Sequence, residues 1–211
     1  MPRSLVLIAA LLLPLAPVQA QEAPSLQEVQ ATYNALDGLQ ATFSQTVRSE
    51  FADQPTRLQG SVLLAGNKYR VQTPQQTVVT DGQTTWIYTP ADSQVVVNDA
   101  EREQAPITPT AFLSGASERY AVDSTGATVL DGTPHHVLAL SATTDTTRFR
   151  TARLWVRQDD QIVTRVRVTD RNGATLDLRL SEIELNPALS ESPFTFAPPE
   201  GVDVVDLRSR E

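Results

Sequence analysis

The 211-residue sequence has no cysteine. That excludes a disulfide framework, a thiolate metal site and the cysteine through which an exported protein is acylated. Histidine occurs only at His135 and His136, and neighbours on a strand point to opposite faces, so the pair cannot grip one metal ion. Neither has a nucleophile elbow beside it and no GxSxG occurs, so no catalytic residue, metal site or cofactor is expected and the chain is not read as an enzyme. Positive charge is also scarce: 17 basic residues, Lys68 the only lysine, face 25 acidic ones, which argues against nucleic acid or anionic lipid surfaces as partners. No apolar run is long enough to span a bilayer. The one candidate, Leu5 to Leu15, falls short of the roughly 17 residues required and contains Pro14.

That run has another reading. Arg3 precedes it and Val18-Gln19-Ala20 follows as a small-residue cleavage pattern, so residues 1–20 form a signal peptide cleaved after Ala20. Cleavage removes one arginine and no acid, leaving 16 basic and 25 acidic residues and a net charge of −9. No linker, repeat or low-complexity stretch divides residues 21–211, which suit a single domain.

The mature chain opens with an amphipathic helix. Leu26, Val29, Tyr33 and Leu36 make one apolar stripe, Ser25 with Glu28 makes a capping box, and Gly38 is the expected stop. The period then changes to two. Leu39, Ala41, Phe43 and Val47 alternate with polar residues, while Gln45 takes an apolar position and reads as a rim residue or a buried amide. Strand signals follow at 58–64, 69–73 and 77–80. Next comes DGQTTWIYTPADSQVVV, where Asp81-Gly82 is read as a two-residue turn, Trp86 and Tyr88 share one face, and Ile87 takes the other. The stretch from 99 to 116 breaks the strand pattern, and Thr108 or Thr110 can cap a short helix with Pro109 in its first turn and Phe112 and Leu113 on it. Strands resume to Leu180 through Asp131-Gly132 and Asn172-Gly173 turns, the second read as a type I′ hairpin, while His135 and His136 read as a solvated strand start.

About ten or eleven antiparallel strands must curl to hide their edges and apolar face. Such a sheet encloses more volume than the about eight strands that side chains alone can fill. The two helices or an apolar ligand could occupy that interior.

Several segments, in order, then resemble the LolA family of periplasmic outer-membrane lipoprotein carriers. They are the signal peptide with its amphipathic helix, Ala41-Thr42-Phe43-Ser44-Gln45, Asp81-Gly82 with Trp86, Tyr88 and Pro90, Thr108-Pro109, and Phe194-Thr195-Phe196-Ala197-Pro198-Pro199-Glu200-Gly201-Val202. The resemblance implies a mainly β fold, an unclosed antiparallel β-barrel of about eleven strands with a helical lid. It further implies a periplasmic chaperone that takes acylated lipoproteins from an inner-membrane ABC-type lipoprotein-releasing complex and passes them to an outer-membrane acceptor. Three long acyl chains at about 0.8 kcal/mol per CH₂ would approach roughly 35 kcal/mol if fully buried, above the practical ceiling of about 20. A carrier therefore covers them incompletely.

The expected cavity lining combines strand and lid positions: Phe43, Val62, Leu64, Tyr69, Val71, Trp86 and Tyr88 on strands, with Leu36, Phe112 and Leu113 on the helices. A slip of one residue in strand parity would invert the strand members. The sequence departs from the family where an Arg-Pro pair, its arginine associated with lid closure, stands before the third strand: here the positions are Ala65-Gly66, with Lys68 and Arg70 as nearby bases that could substitute. The alternative function is a LolA-fold lipoprotein or lipid sensor regulating an envelope stress response. Those regulators carry a further C-terminal domain, for which little chain follows Val202.

Overall fold

The computed structural model describes residues 22–100 and 108–208, so the expected signal peptide and the segment 101–107 lie outside the described residues. Three short helices, α1 (Leu26–Asn34), α2 (Pro109–Leu113) and α3 (Ala116–Arg119), accompany twelve strands. These are β1 (Leu39–Arg48), β2 (Thr56–Ala65), β3 (Lys68–Gln72), β4 (Thr77–Thr80), β5 (Thr84–Thr89) and β6 (Gln94–Asp99), then β7 (Tyr120–Leu130), β8 (Thr133–Ala142), β9 (Phe149–Arg157), β10 (Val163–Asp170), β11 (Thr175–Leu185) and β12 (Asp203–Asp206). All belong to one unclosed sheet in the order β12-β6-β5-β4-β3-β2-β1-β11-β10-β9-β8-β7. Every neighbouring pair is antiparallel except β12, which runs parallel to β6. That strand is absent from the sequence reading, and the segments 120–123 and 128–130 join into one long β7.

Local chemistry sets the helix starts. Ser25 Oγ accepts from Glu28 N–H while the Glu28 carboxylate accepts from Ser25 N–H at 2.7 Å, the expected capping box. Thr108 Oγ1 accepts from Ala111 N–H at 3.1 Å, with Pro109 at the first helical position. Three turns differ from expectation. Helix α1 closes at Ala35, not Gly38, whose close approach to the Leu64 carbonyl leaves no room for a Cβ. The Asp81 carboxylate accepts from Gln83 and Thr84 N–H, so the turn centres on Gly82-Gln83, with Gly82 at φ +93°. Asp170 likewise accepts from Asn172 and Ala174 N–H, widening the Asn172-Gly173 hairpin by one residue.

The two sheet faces carry separate cores. On the concave face, Leu39, Ala41 and Phe43 of β1 continue through Val62 and Leu64 of β2 on one side and Leu178 and Leu180 of β11 on the other. Leu26, Val29 and Tyr33 of α1, Phe112 and Leu113 of α2 and Ala116 of α3 complete this core. Tyr33 Oη donates to the Val163 carbonyl and accepts from its N–H, which ties α1 to β10.

Strand register overturns one expectation. Val71 lies opposite Val78 and Val78 opposite Ile87, so Ile87 shares the concave face, whereas Trp86 opposite Val79 and Tyr88 opposite Thr77 face outward. Val79, Val95 and Val97 are nevertheless buried on that outer side. The C-terminal segment crosses it: the 192–194 turn lies against β3, Tyr88 meets Phe196 at 5.7 Å between ring centroids, and β12 adds to β6. Alternation identified the two faces of β5 but could not say which was enclosed.

The adjacent histidines are also corrected, because both are buried. His135 Nδ1 donates to the Thr133 carbonyl and Nε2 meets Thr164 Oγ1, each at 2.8 Å, while His136 lies on the concave parity opposite Val156. On the outer face of β9–β11, Arg165 stacks 4.4 Å from the Trp155 ring and grips Asp177 with a two-pronged fork at 2.8 and 2.6 Å. Burial works to raise the Asp177 pKa, but hydrogen bonds and charge from Arg165 and Arg167 outweigh it and hold the carboxyl below its ordinary 3.8. A depressed folded-state pKa contributes stability that is present above the unfolded value and lost as pH falls through the folded one. Thermal melts in acid should therefore show Asp177→Asn losing less stability than the parent on acidification below about pH 4.

Candidate functional site

Between the concave face and the start of α2 lies an apolar cavity of about 70 Å³. Phe43 and Gln45 of β1, Leu58 and Val62 of β2, Val71 of β3 and Leu178 and Leu180 of β11 form its walls, and Thr108 and Pro109 close it. Phe43 is placed by its neighbour: Gly60 lies directly opposite it on β2, and a Cβ there would sit 2.9 Å from the Phe43 ring. The bare glycine therefore lets the ring lie flat into the interior. Gln45 lies between Leu58 and Leu178, the one amide on an apolar wall. Among the described residues, Gln45 and Thr108 are the wall's only polar side chains, and these form neither a nucleophile–base pair nor a set of metal donors.

A second opening of about 320 Å³ lies at the end of α1, where Tyr33 and Leu36 meet Leu64 and Gly66 of the β2–β3 hairpin and Thr110 of α2. The expected positions thus separate into groups. Phe43, Val62 and Val71 line the first cavity, and Leu36 and Leu64 the second. Tyr69 packs against the concave core, where Phe112 and Leu113 are buried, with Phe112 against Tyr120 at 5.2 Å. Trp86 and Tyr88 reach neither cavity because they point to the opposite face. Leu58, Gln45, Leu178, Leu180, Thr108 and Pro109 were missed as lining. For β11 the inward alternation of Leu176, Leu178 and Leu180 was the available signal, and for Gln45 it was a polar residue on an apolar parity.

The lid elements are tied to the sheet at different places. Helix α1 is held through Tyr33 and through Thr32 Oγ1, which reaches Gln161 Oε1 at 3.2 Å. Arg119 of α3 donates to the carbonyls of Phe112, Ser114 and Gly115, and its own carbonyl accepts from Thr143 N–H, so α2 and α3 hang together from the start of β8's outgoing loop. Between the two groups runs a hydrogen bond from Ser117 Oγ to Gln30 Oε1 at 3.4 Å.

A sequence profile described as outer membrane lipoprotein carrier protein LolA matches residues 34–197. The chain belongs to the LolA family. An outer-membrane lipoprotein carrier protein of Legionella pneumophila (strain Corby) is 32% identical over 185 residues, 86% of this chain and 89% of its own length. One from Dechloromonas aromatica (strain RCB) is 31% identical, over 79% of this chain and 80% of its own. The crystal structure of an uncharacterized conserved protein from Thermus thermophilus superposes with a TM-score of 0.57 at 17% identity, covering 85% of this chain and 98% of that one, a likeness of fold alone. In this LolA chain the hairpin Ala65-Gly66-Asn67-Lys68 carries no arginine. Neither nearby base replaces one at the lid. Lys68 pairs with Glu191, and Arg70 donates to the Pro193 carbonyl at 3.3 Å, so both serve the outer, C-terminal segment.

Proposed function

We propose that this LolA chain is a periplasmic carrier that binds the acyl chains of lipoproteins released from the inner membrane by an ABC-type complex and delivers them to an outer-membrane acceptor. The observation that carries the reading is the apolar cavity closed by the start of α2. At about 70 Å³ it lies well below the roughly 300 Å³ at which small-molecule pockets begin, so a chain enters only when α2 moves. The separate anchoring of α1 and of the α2–α3 unit supports such a movement, since α2 can swing while Tyr33 keeps α1 on β10. Acyl burial then trades against the concave contacts that α2 gives up. That exchange keeps net affinity moderate, as release to an acceptor requires.

Purification from an exporting host followed by mass spectrometry for bound acyl species, with uptake of lipoprotein from inner-membrane vesicles, tests the reading. Absence of bound acyl species together with failed uptake would sink it. Phe43→Glu is expected to abolish uptake, whereas Tyr88→Ala, on the outer face, should leave it within about twofold of the parent. Loss of uptake in a folded Tyr88→Ala protein would mean that acyl chains bind beneath the C-terminal segment instead.

A further inference from the structure

The outward positions of β9, β10, β11, β1 and β2 form a lattice that the cavity does not use. One row crosses all five strands: Arg153 opposite Arg167, Arg167 opposite Asp177, Asp177 opposite Thr46, and Thr46 opposite Arg57. In the next, Trp155 faces Arg165, Arg165 faces Arg179 and Arg179 faces Ser44, while Arg48 lies opposite Thr175 at the other side. Six arginines, at 48, 57, 153, 165, 167 and 179, thus surround Asp177, the only acidic residue within segments 40–48, 57–63, 151–157, 165–169 and 175–181. At about 4.8 Å between strands the array spans roughly 19 Å.

Two of its cross-strand pairs, Arg153 with Arg167 and Arg165 with Arg179, set like charges directly opposite, an arrangement that destabilises a sheet. A chain whose 25 acidic and 17 basic residues argue overall against an anionic partner nonetheless places six of those 17 on this one face. Asp177 offsets part of that repulsion by pairing with Arg165, Arg167 and Arg179, and a negative counter-surface removes the remainder.

We propose that this face docks the protein reversibly onto an anionic phospholipid surface. The charges lie spread across a sheet face in the plane of the strands, matching a layer of phosphates better than one discrete ligand, and guanidinium forks suit phosphate oxygens. Trp155 lies beneath Arg165 and is only 8% exposed, so the patch presents no aromatic anchor of the kind that dominates protein–protein contacts and nothing to insert into acyl chains. The contact is electrostatic. An otherwise acidic molecule is turned by the membrane field to present this face, and the helices, on the opposite side of the sheet, stay clear of the lipid. The inference rests on the outer face and stands apart from the acyl-carrier reading.

Co-sedimentation with vesicles free of lipoprotein tests it. The protein should bind phosphatidylglycerol-containing vesicles at low salt, leave them at high salt and ignore phosphatidylcholine vesicles. Arg57→Gln with Arg153→Gln, both exposed positions, should weaken binding about 25-fold, at about fivefold per basic residue near the surface. Arg208→Gln, outside the patch, should have no effect. Arg48→Gln alone, about fivefold weaker, repeats the test should the pair unfold in a thermal melt. The proposal is overturned if anionic vesicles are not bound at low salt, or if the patch variants bind as the parent does. Retention on immobilised polyglutamate through the same arginines without vesicle binding would assign the face to an acidic protein partner and equally overturn it.

Discussion

Replacing Gln45 with glutamate is expected to leave a folded protein whose affinity for an acylated ligand falls by at least about a hundredfold, or roughly 2.7 kcal/mol. Gln45 is half-buried, on the wall between Leu58 and Leu178. In the unloaded protein a carboxylate there retains part of its hydration. Once an acyl chain packs against it, that hydration is lost with no cation among the described residues of the cavity wall to compensate. The loaded state therefore favours the protonated acid, and lowering the pH should restore affinity in Gln45→Glu but not alter the parent in the same way. Gln45→Leu, which removes the amide, should bind at least as well as the parent. Displacement of a fluorescent fatty acid measures all three. Equal affinity of Gln45→Glu and parent at neutral pH would place acyl chains elsewhere.

The second large effect falls on stability. Tyr33→Phe conserves the ring but deletes a hydroxyl that both donates to the Val163 carbonyl and accepts from the Val163 N–H, at 3.3 and 3.1 Å. Both peptide groups are buried, and leaving them unpaired costs about 1–3 kcal/mol each. A loss of about 3 kcal/mol lowers Tm by roughly 6–12 °C in a chain of this size. Burial pushes the Tyr33 phenol well above its ordinary value of 10.0, further than the Val163 hydrogen bond lowers it. A raised folded-state pKa contributes stability that is full below the unfolded value and is lost as pH rises through the folded one. The parent should accordingly lose stability above about pH 10, a limb that Tyr33→Phe lacks. A melting temperature unchanged by the substitution would mean that α1 is held by its apolar stripe alone.

Much of the site was legible where the signal is local. The Ser25–Glu28 capping box and the Thr108-Pro109 start of α2 depend on groups three residues apart, and both form as their residue types require. Period-two alternation likewise located β1 and its inward residues Leu39, Ala41 and Phe43. It failed at β5. There Trp86 and Tyr88 looked like cavity wall because they are the largest side chains, yet register puts them outside and Ile87 inside. The histidines failed for a related reason, since Thr164, which meets His135, belongs to a strand 29 residues away. Close-range turn chemistry also misled where an aspartate side chain captured extra N–H groups, as Asp81 and Asp170 do.

The sequence by itself determined the composition limits, the two helix caps, the strand alternation and the ordered motifs of the LolA family. Only the tertiary structure decided which face of each strand encloses the cavity. Alternation is symmetric, and in this sheet both faces of β4–β6 are covered, one toward the concave interior and the other by a C-terminal segment about a hundred residues away in the chain. The choice between them is made by long-range strand pairing and by the helices that fill the concave side. No spacing within the segment Thr84–Thr89 encodes it.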